Sequence, residues 1–169
     1  MHKIDILGLN RFEHPSKERI GCRGIIIQNS QILLVHELKN DFYMIPGGGH
    51  EPGETLEECC TRELQEETGY VVKPCKEGAF LQLIEYYEEY KYINYYFTCE
   101  IIGTATRNLT EAEAERNLVS EWVDMKMALD IFSHHQDYAS TYEEKRGAYL
   151  REYTALHSAV KMEMIKYIS

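Results

Sequence analysis

The chain has 169 residues, 44% of them hydrophobic and 27% charged, which suits a compact globular protein with a substantial core. Its net charge of −10 argues against non-specific binding to nucleic acid, whose phosphates would be repelled. No apolar run approaches the roughly 18 residues of a membrane span and no secretory signal opens the chain, so neither a membrane nor a secreted context is expected.

A short strand is expected over residues 4–9, then a polar stretch through Pro15. Residues 20–28 and 31–38 are rich in Ile, Leu and Val and read as strands joined by a hairpin turn at Asn29-Ser30. A third strand over 42–45 runs into Pro46-Gly47-Gly48-Gly49, expected as a loop. Residues 55–68 predict a helix: Thr55 caps it, Glu58 completes a capping box, and Gly69 stops it. Extended chain resumes at Val71-Val72, and residues 79–87 and 92–102, dominated by Tyr, Phe and Ile, read as two long strands with a charged turn over 88–91.

A polar, acidic connection over 104–117 leads to a short strand at Trp122-Val123 and a short helix over 125–132. From about residue 136 the chain reads as helical to its end, with Tyr149, Tyr153, Leu156, Val160, Met164 and Tyr167 forming one apolar stripe. Residues 1–169 are thus expected to form one domain, with 136–169 a C-terminal helical extension that covers the core. A homodimer contact and a border of the pocket are its other uses. Five cysteines without a C-x-x-C pair suggest small, buried, reduced thiols in a cytoplasmic protein, not a disulfide framework or a zinc site.

The informative segment is the predicted helix over 55–68. At about 100° per residue, Leu56, Cys59 and Cys60 share one face with Leu64 at its edge, the face that packs on the core. Glu63 and Glu67 continue that stripe and Glu66 flanks them, while Glu58, Thr61 and Gln65 take the solvent side. Burying an unpaired carboxylate costs several kcal/mol, and two such charges about 5 Å apart repel by roughly 3 kcal/mol at an effective dielectric of about 20. Arg62 points about 100° away from Glu63 and is expected to brace one carboxylate, not all three. A hard divalent cation, Mg²⁺ or Mn²⁺, is the economical counter-charge. The preceding glycines let backbone approach a ligand or metal closely, although they lack the Gly-Lys-Ser/Thr of a P-loop.

Gly48, five residues, Glu54, seven residues, Arg62-Glu63-Leu64, one residue, Glu66-Glu67, one residue, Gly69-Tyr70: this segment resembles the Nudix box at each fixed position. Tyr70 departs from the family's usual aliphatic residue, a change of packing and not of chemistry. The resemblance implies an α/β/α sandwich with a mixed sheet and hydrolysis of a phosphoanhydride bond in a nucleoside triphosphate or NDP-linked small molecule. It implies that Glu63, Glu66, Glu67 and the Gly47 carbonyl ligate Mg²⁺ or Mn²⁺, that Arg62 orients Glu63, and that Glu54 supports the loop–helix junction.

Family members often take a further glutamate from a later loop. Glu111, Glu113, Glu115 and Glu121 are available here, and the spacing before Trp122 favours Glu115. Arg23 and Gly48 are expected at the substrate, although an ordinary surface arginine is an equal reading of Arg23. Tyr86 is the expected stacking residue, because Tyr86 and Tyr87 fall where dinucleoside-polyphosphate hydrolases often carry a tyrosine; alternation sends half the tyrosines here away from any one pocket. The proline spacing of ADP-ribose hydrolases and the coenzyme A and NADH signatures are absent. The rival readings are a Nudix-fold sensor that binds a nucleotide without turnover, and an acidic Ca²⁺-binding protein, for which the EF-hand spacing is lacking.

Overall fold

The computed structural model describes residues 1–165, so Tyr167 of the expected stripe lies outside the described residues. In chain order the elements are β1 (His2–Leu7), β2 (Lys17–Ile25), β3 (Ile27–Gln28), β4 (Gln31–Glu37), β5 (Phe42–Met44), β6 (Gly47–Gly49), α1 (Leu56–Thr68) and β7 (Tyr70–Pro74). There follow β8 (Leu81–Tyr87), β9 (Tyr90–Thr104), α2 (Glu111–Glu115), β10 (Leu118–Asp124), α3 (Met125–Ser133), a 3-10 turn (His134–Tyr138) and α4 (Glu143–Lys161).

Two sheets form. The first, of six strands, runs β1-β8-β9-β2-β6, with β7 also on β9; the second, of four, runs β10-β4-β3, with β5 also on β4. The first sheet is mixed, because β1 lies parallel to β8 and β2 parallel to β9. The expected strand over 20–28 splits at the buried Ile26, where the chain leaves the first sheet for the second. Asn29 and Ser30 close the next hairpin with φ of 50° and 63°, both left-handed, as a tight two-residue turn requires.

Helices cover both faces. Beneath α1, Cys59, Cys60 and Leu64 pack on Cys22, Ile26, Leu33 and Phe97. On the other side Ala148, Tyr149, Leu156 and Ala159 of α4 pack with Ile25, Leu34, Leu83 and Tyr96. No described helix is long and apolar enough to cross a membrane.

Four expectations need correction. The glycine loop is strand β6, paired with Gly21–Arg23. It can pair so closely because it lacks side chains: a Cβ on Gly47 (φ 144°) would lie 2.7 Å from the Cα of Arg23. The acidic connection holds the short helix α2, started by a Thr110/Glu113 capping box. The C-terminal helical stretch breaks at Ser140 (φ 68°) before α4 begins. Its buried stripe is Ala148, Tyr149, Glu152, Ala155, Leu156 and Ala159, with Tyr153 and Val160 only half-buried. Among the cysteines, Cys75 is exposed.

Candidate active site

α1 begins and ends as its sequence requires. The Thr55 side chain accepts from the Glu58 N–H, Glu58 answers to the Thr55 N–H, and Gly69 closes the helix at φ 76°. This sets the phase that turns the carboxylates inward. The Glu63 side chain is 12% exposed and Glu67 as a whole 7%, whereas Glu58 is exposed.

Glu67 reaches the glycine strand, where its Oε2 accepts from the Gly47 N–H at 2.8 Å. Burial pushes its carboxyl up to about 8; the Gly47 bond and the nearby Arg23 charge only partly offset this, and Glu63 and Glu113 add to it. Burial likewise raises Glu63. A Cβ on Gly48 would collide with the Glu63 carboxylate, so any other residue there must displace that side chain.

Arg62 does more than its azimuth suggests. Its Nε and Nη2 grip Glu54 at 3.0 and 2.8 Å, its Nη1 donates to Glu63 at 2.8 Å and Glu66 at 3.0 Å, and Nη2 also reaches the Gly49 carbonyl at 2.9 Å. The long flexible stem reaches around the helix, which the expectation of one braced carboxylate overlooked. This fork holds the Glu54 carboxyl down at about 2. It leaves Glu67 without a guanidinium partner.

Glu63, Glu66 and Glu67 offer hard oxygen donors on the inner side of α1, and the Gly47 carbonyl faces Arg23 Nη1 at 3.5 Å. The fit to a divalent cation rests on Glu67, a buried carboxylate opposed by one N–H and by the like charges of Glu63 and Glu113. Among the described residues no three acidic, His or Cys side chains already converge on a single point. Arg62 draws Glu63 and Glu66 to one side while Glu67 turns to Gly47.

Of the later glutamates, Glu113 is the one whose charge is felt by both Glu63 and Glu67. Glu115 is exposed at the end of α2. The connection is pinned beside the site by Arg107, whose Nε donates to the Glu67 carbonyl at 2.6 Å and whose Nη2 donates to the Leu118 carbonyl at 2.8 Å. Sequence reading missed Arg107; the Thr110-x-x-Glu113 box was the available signal.

Away from the carboxylates, a hollow of about 210 Å³ beside Gly48 and Gly49 adjoins a cleft of about 500 Å³; Arg19, Arg23, Tyr92 and Arg151 line both. Arg23 is mostly buried, its Nη1 on the Ile45 carbonyl at 2.8 Å. Tyr90 and Tyr92 stack at 5.2 Å on the cleft wall. Tyr86 does not reach the cleft: strand alternation puts it on the opposite sheet face, beside Leu7 and Phe12, and Tyr87 takes its place.

The cleft floor is a buried polar network that sequence reading missed. Arg151 Nη2 donates to Glu152 at 2.6 Å and Nη1 to Glu85 at 3.3 Å, Asn94 donates to Glu85 at 2.8 Å, and Tyr96 donates to Glu152 at 2.8 Å. Glu85 and Glu152 are almost wholly buried, and burial raises the Glu85 carboxyl. Tyr87 completes the floor against Gly147 of α4, where a Cβ would collide with its ring.

Comparison with known proteins identifies the family. The NUDIX domain family model matches residues 18–144. An ADP-ribose pyrophosphatase of Methanocaldococcus jannaschii is 38% identical over 74 residues, which is 42% of this chain and 42% of that protein. Human diphosphoinositol polyphosphate phosphohydrolase NUDT4B is 31% identical over 121 residues, 70% of this chain and 63% of that protein. The chain spans less than half the length of several such relatives, from 28% to 42% of each. A solved Nudix hydrolase from Nitrosomonas europaea superposes with a TM-score of 0.56 at 18% identity, covering 90% of this chain and 98% of that one, a likeness of fold. With the family model spanning well over half its residues, the chain belongs to the Nudix family.

Proposed function

We propose that this chain hydrolyses a phosphoanhydride bond in an NDP-linked small molecule or nucleoside triphosphate, with Mg²⁺ or Mn²⁺ held by Glu63, Glu66, Glu67 and the Gly47 carbonyl. The observation that carries the reading is Glu67: a buried carboxylate whose hydrogen-bond partner is the Gly47 N–H of the glycine strand. A bound divalent cation would neutralise phosphate charge and acidify the attacking water.

The chain's own residues do the rest. Arg62 holds Glu54, Glu63 and the Gly49 carbonyl together as one unit, toward which Glu67 must turn to share a cation. Gly48 keeps backbone close to Glu63. Glu63 and Glu67 are the candidate proton acceptors for the attacking water, with support from α2 by Glu113 or by Glu115, the residue favoured by spacing, which is exposed at the helix end. Arg19 and Arg23, which line both hollow and cleft, are the candidate cations for the substrate phosphates.

The cleft lining favours an NDP-linked compound over a bare triphosphate. Glu85, Glu88 and Glu144 line it together with Tyr90 and Tyr92. Glu88 and Glu144 can accept from hydroxyls, Glu85 being held by Arg151 and Asn94, and tyrosine rings offer a face to a base. The relatives named as ADP-ribose pyrophosphatases support the same substrate class.

The test is turnover of NDP-sugars and nucleoside triphosphates by the purified chain with Mg²⁺ or Mn²⁺. Release of a mononucleotide or pyrophosphate, lost with EDTA and reduced about 10²-fold or more in Glu67→Gln, is expected. Tight nucleotide binding without turnover would instead identify a sensor.

A further inference from the structure

Among the described residues, β1 is the outer strand of the six-stranded sheet. Its inner edge is paired with β8 in parallel register from His2↔Leu81 to Leu7↔Tyr86. The His2 N–H donates to the Phe80 carbonyl at 2.9 Å and the Gly8 N–H to the Tyr86 carbonyl at 2.8 Å. Backbone groups along a strand address alternate edges, so the even residues face β8. The N–H and C=O groups of Lys3, Asp5 and Leu7 therefore face outward. Such an edge is a template for another strand.

The side chains on this edge are arranged symmetrically. Reading outward from Ile4, Lys3 on one side answers Asp5 on the other, and Met1 answers Leu7. Met1 and Leu7 are 71% and 56% exposed, and Lys3 and Asp5 are exposed as well.

We propose that β1 pairs antiparallel with β1 of a second copy of this chain, about a two-fold axis through Ile4, making one continuous sheet across two subunits. A two-fold contact brings the same patch together from both copies, so the patch must complement itself. Outward-facing residues must oppose outward-facing residues, which restricts the register to steps of two. With the axis at Ile4, Lys3 faces the second copy's Asp5, Asp5 faces its Lys3, and Met1 covers its Leu7. Moving the axis to Lys3 or to Asp5 stacks like charges, which is destabilising. Each outward-facing pair exchanges two backbone hydrogen bonds. On the other face Ile4 meets its own counterpart and extends the apolar surface that Ile4 and Ile6 already share with the core. A lysine on an edge strand often guards against pairing; a guard alone does not call for an aspartate at the symmetric position.

Sedimentation of the full chain tests this independently of any hydrolase activity. The parent should reversibly reach twice its 19.8 kDa mass. Lys3→Asp and Asp5→Lys, each placing like charges opposite, should weaken association about ten-fold or more with unchanged circular dichroism. The double exchange Lys3→Asp/Asp5→Lys should restore it. Under mild oxidation Ile4→Cys should cross-link to itself, while His2→Cys, which faces the second copy's Ile6, should not. A parent that stays monomeric at every concentration, or a dimer indifferent to both single reversals, overturns the proposal.

Discussion

Glu67→Gln separates the charge of this residue from its shape. In the metal-free chain, burial raises the Glu67 carboxyl from 4.5 to about 8. The folded state thus binds this proton more tightly than the unfolded chain does. The resulting stability is fully present below pH 4.5 and is lost as pH rises through about 8. At 1.36 kcal/mol per pKa unit, the loss by pH 8 amounts to about 4 kcal/mol. For a chain of this length that corresponds to roughly 10 °C in Tm. Glutamine keeps an oxygen for the Gly47 N–H and carries no charge, so it removes this dependence. Thermal unfolding in EDTA at pH 5 and pH 8 is the assay. The parent should lose far more stability than Glu67→Gln between the two pH values, and Mg²⁺ should restore the parent selectively at pH 8. Glu85, also raised, contributes to both proteins and cancels in the comparison, whereas the mutual repulsion of Glu63 and Glu67 is part of what the variant removes. Equal pH dependence in parent and variant would refute the argument that Glu67 is a buried, poorly compensated charge.

Other substitutions probe neighbouring parts of the site. Gly48→Ala puts a methyl group on the Glu63 carboxylate and should cut turnover about 10²-fold by displacing it, measured as kcat at saturating metal. Glu113→Gln should weaken Mn²⁺ binding in a calorimetric titration, whereas Glu115→Gln should leave it unchanged, because Glu113 is the α2 charge felt by Glu63 and Glu67. Tyr96→Phe strips the hydroxyl from the buried Glu152 and should cost about 1–3 kcal/mol in denaturant unfolding.

The box helix was readable because each of its signals is local. Thr55, Glu58 and Gly69 delimit it, and the 100° step places Glu63 and Glu67 on the buried side. The long strands were readable from their β-branched and aromatic content, and the Asn29-Ser30 turn from its residue types. What escaped depends on contacts distant in sequence. The glycine strand exists because β2 lies beside it, which no glycine triplet announces. The charges of Arg151 and Glu152 carry no local sign of burial, because their partners Glu85 and Tyr96 arrive from two distant strands. Tyr86 and Tyr87 differ only in strand parity, which pairing with β1 and β9 settles. Arg62 shows the limit of helical-wheel reasoning, since reach along a long side chain can outweigh azimuth.

The measurement closest to the central claim is anomalous diffraction from crystals of the Mn²⁺-loaded chain. Peaks should fall among the carboxylates of Glu63, Glu66 and Glu67 and the Gly47 carbonyl, with Arg62 still gripping Glu54. Peaks confined to other acidic surfaces, with Glu67 still bonded only to the Gly47 N–H, would contradict the account.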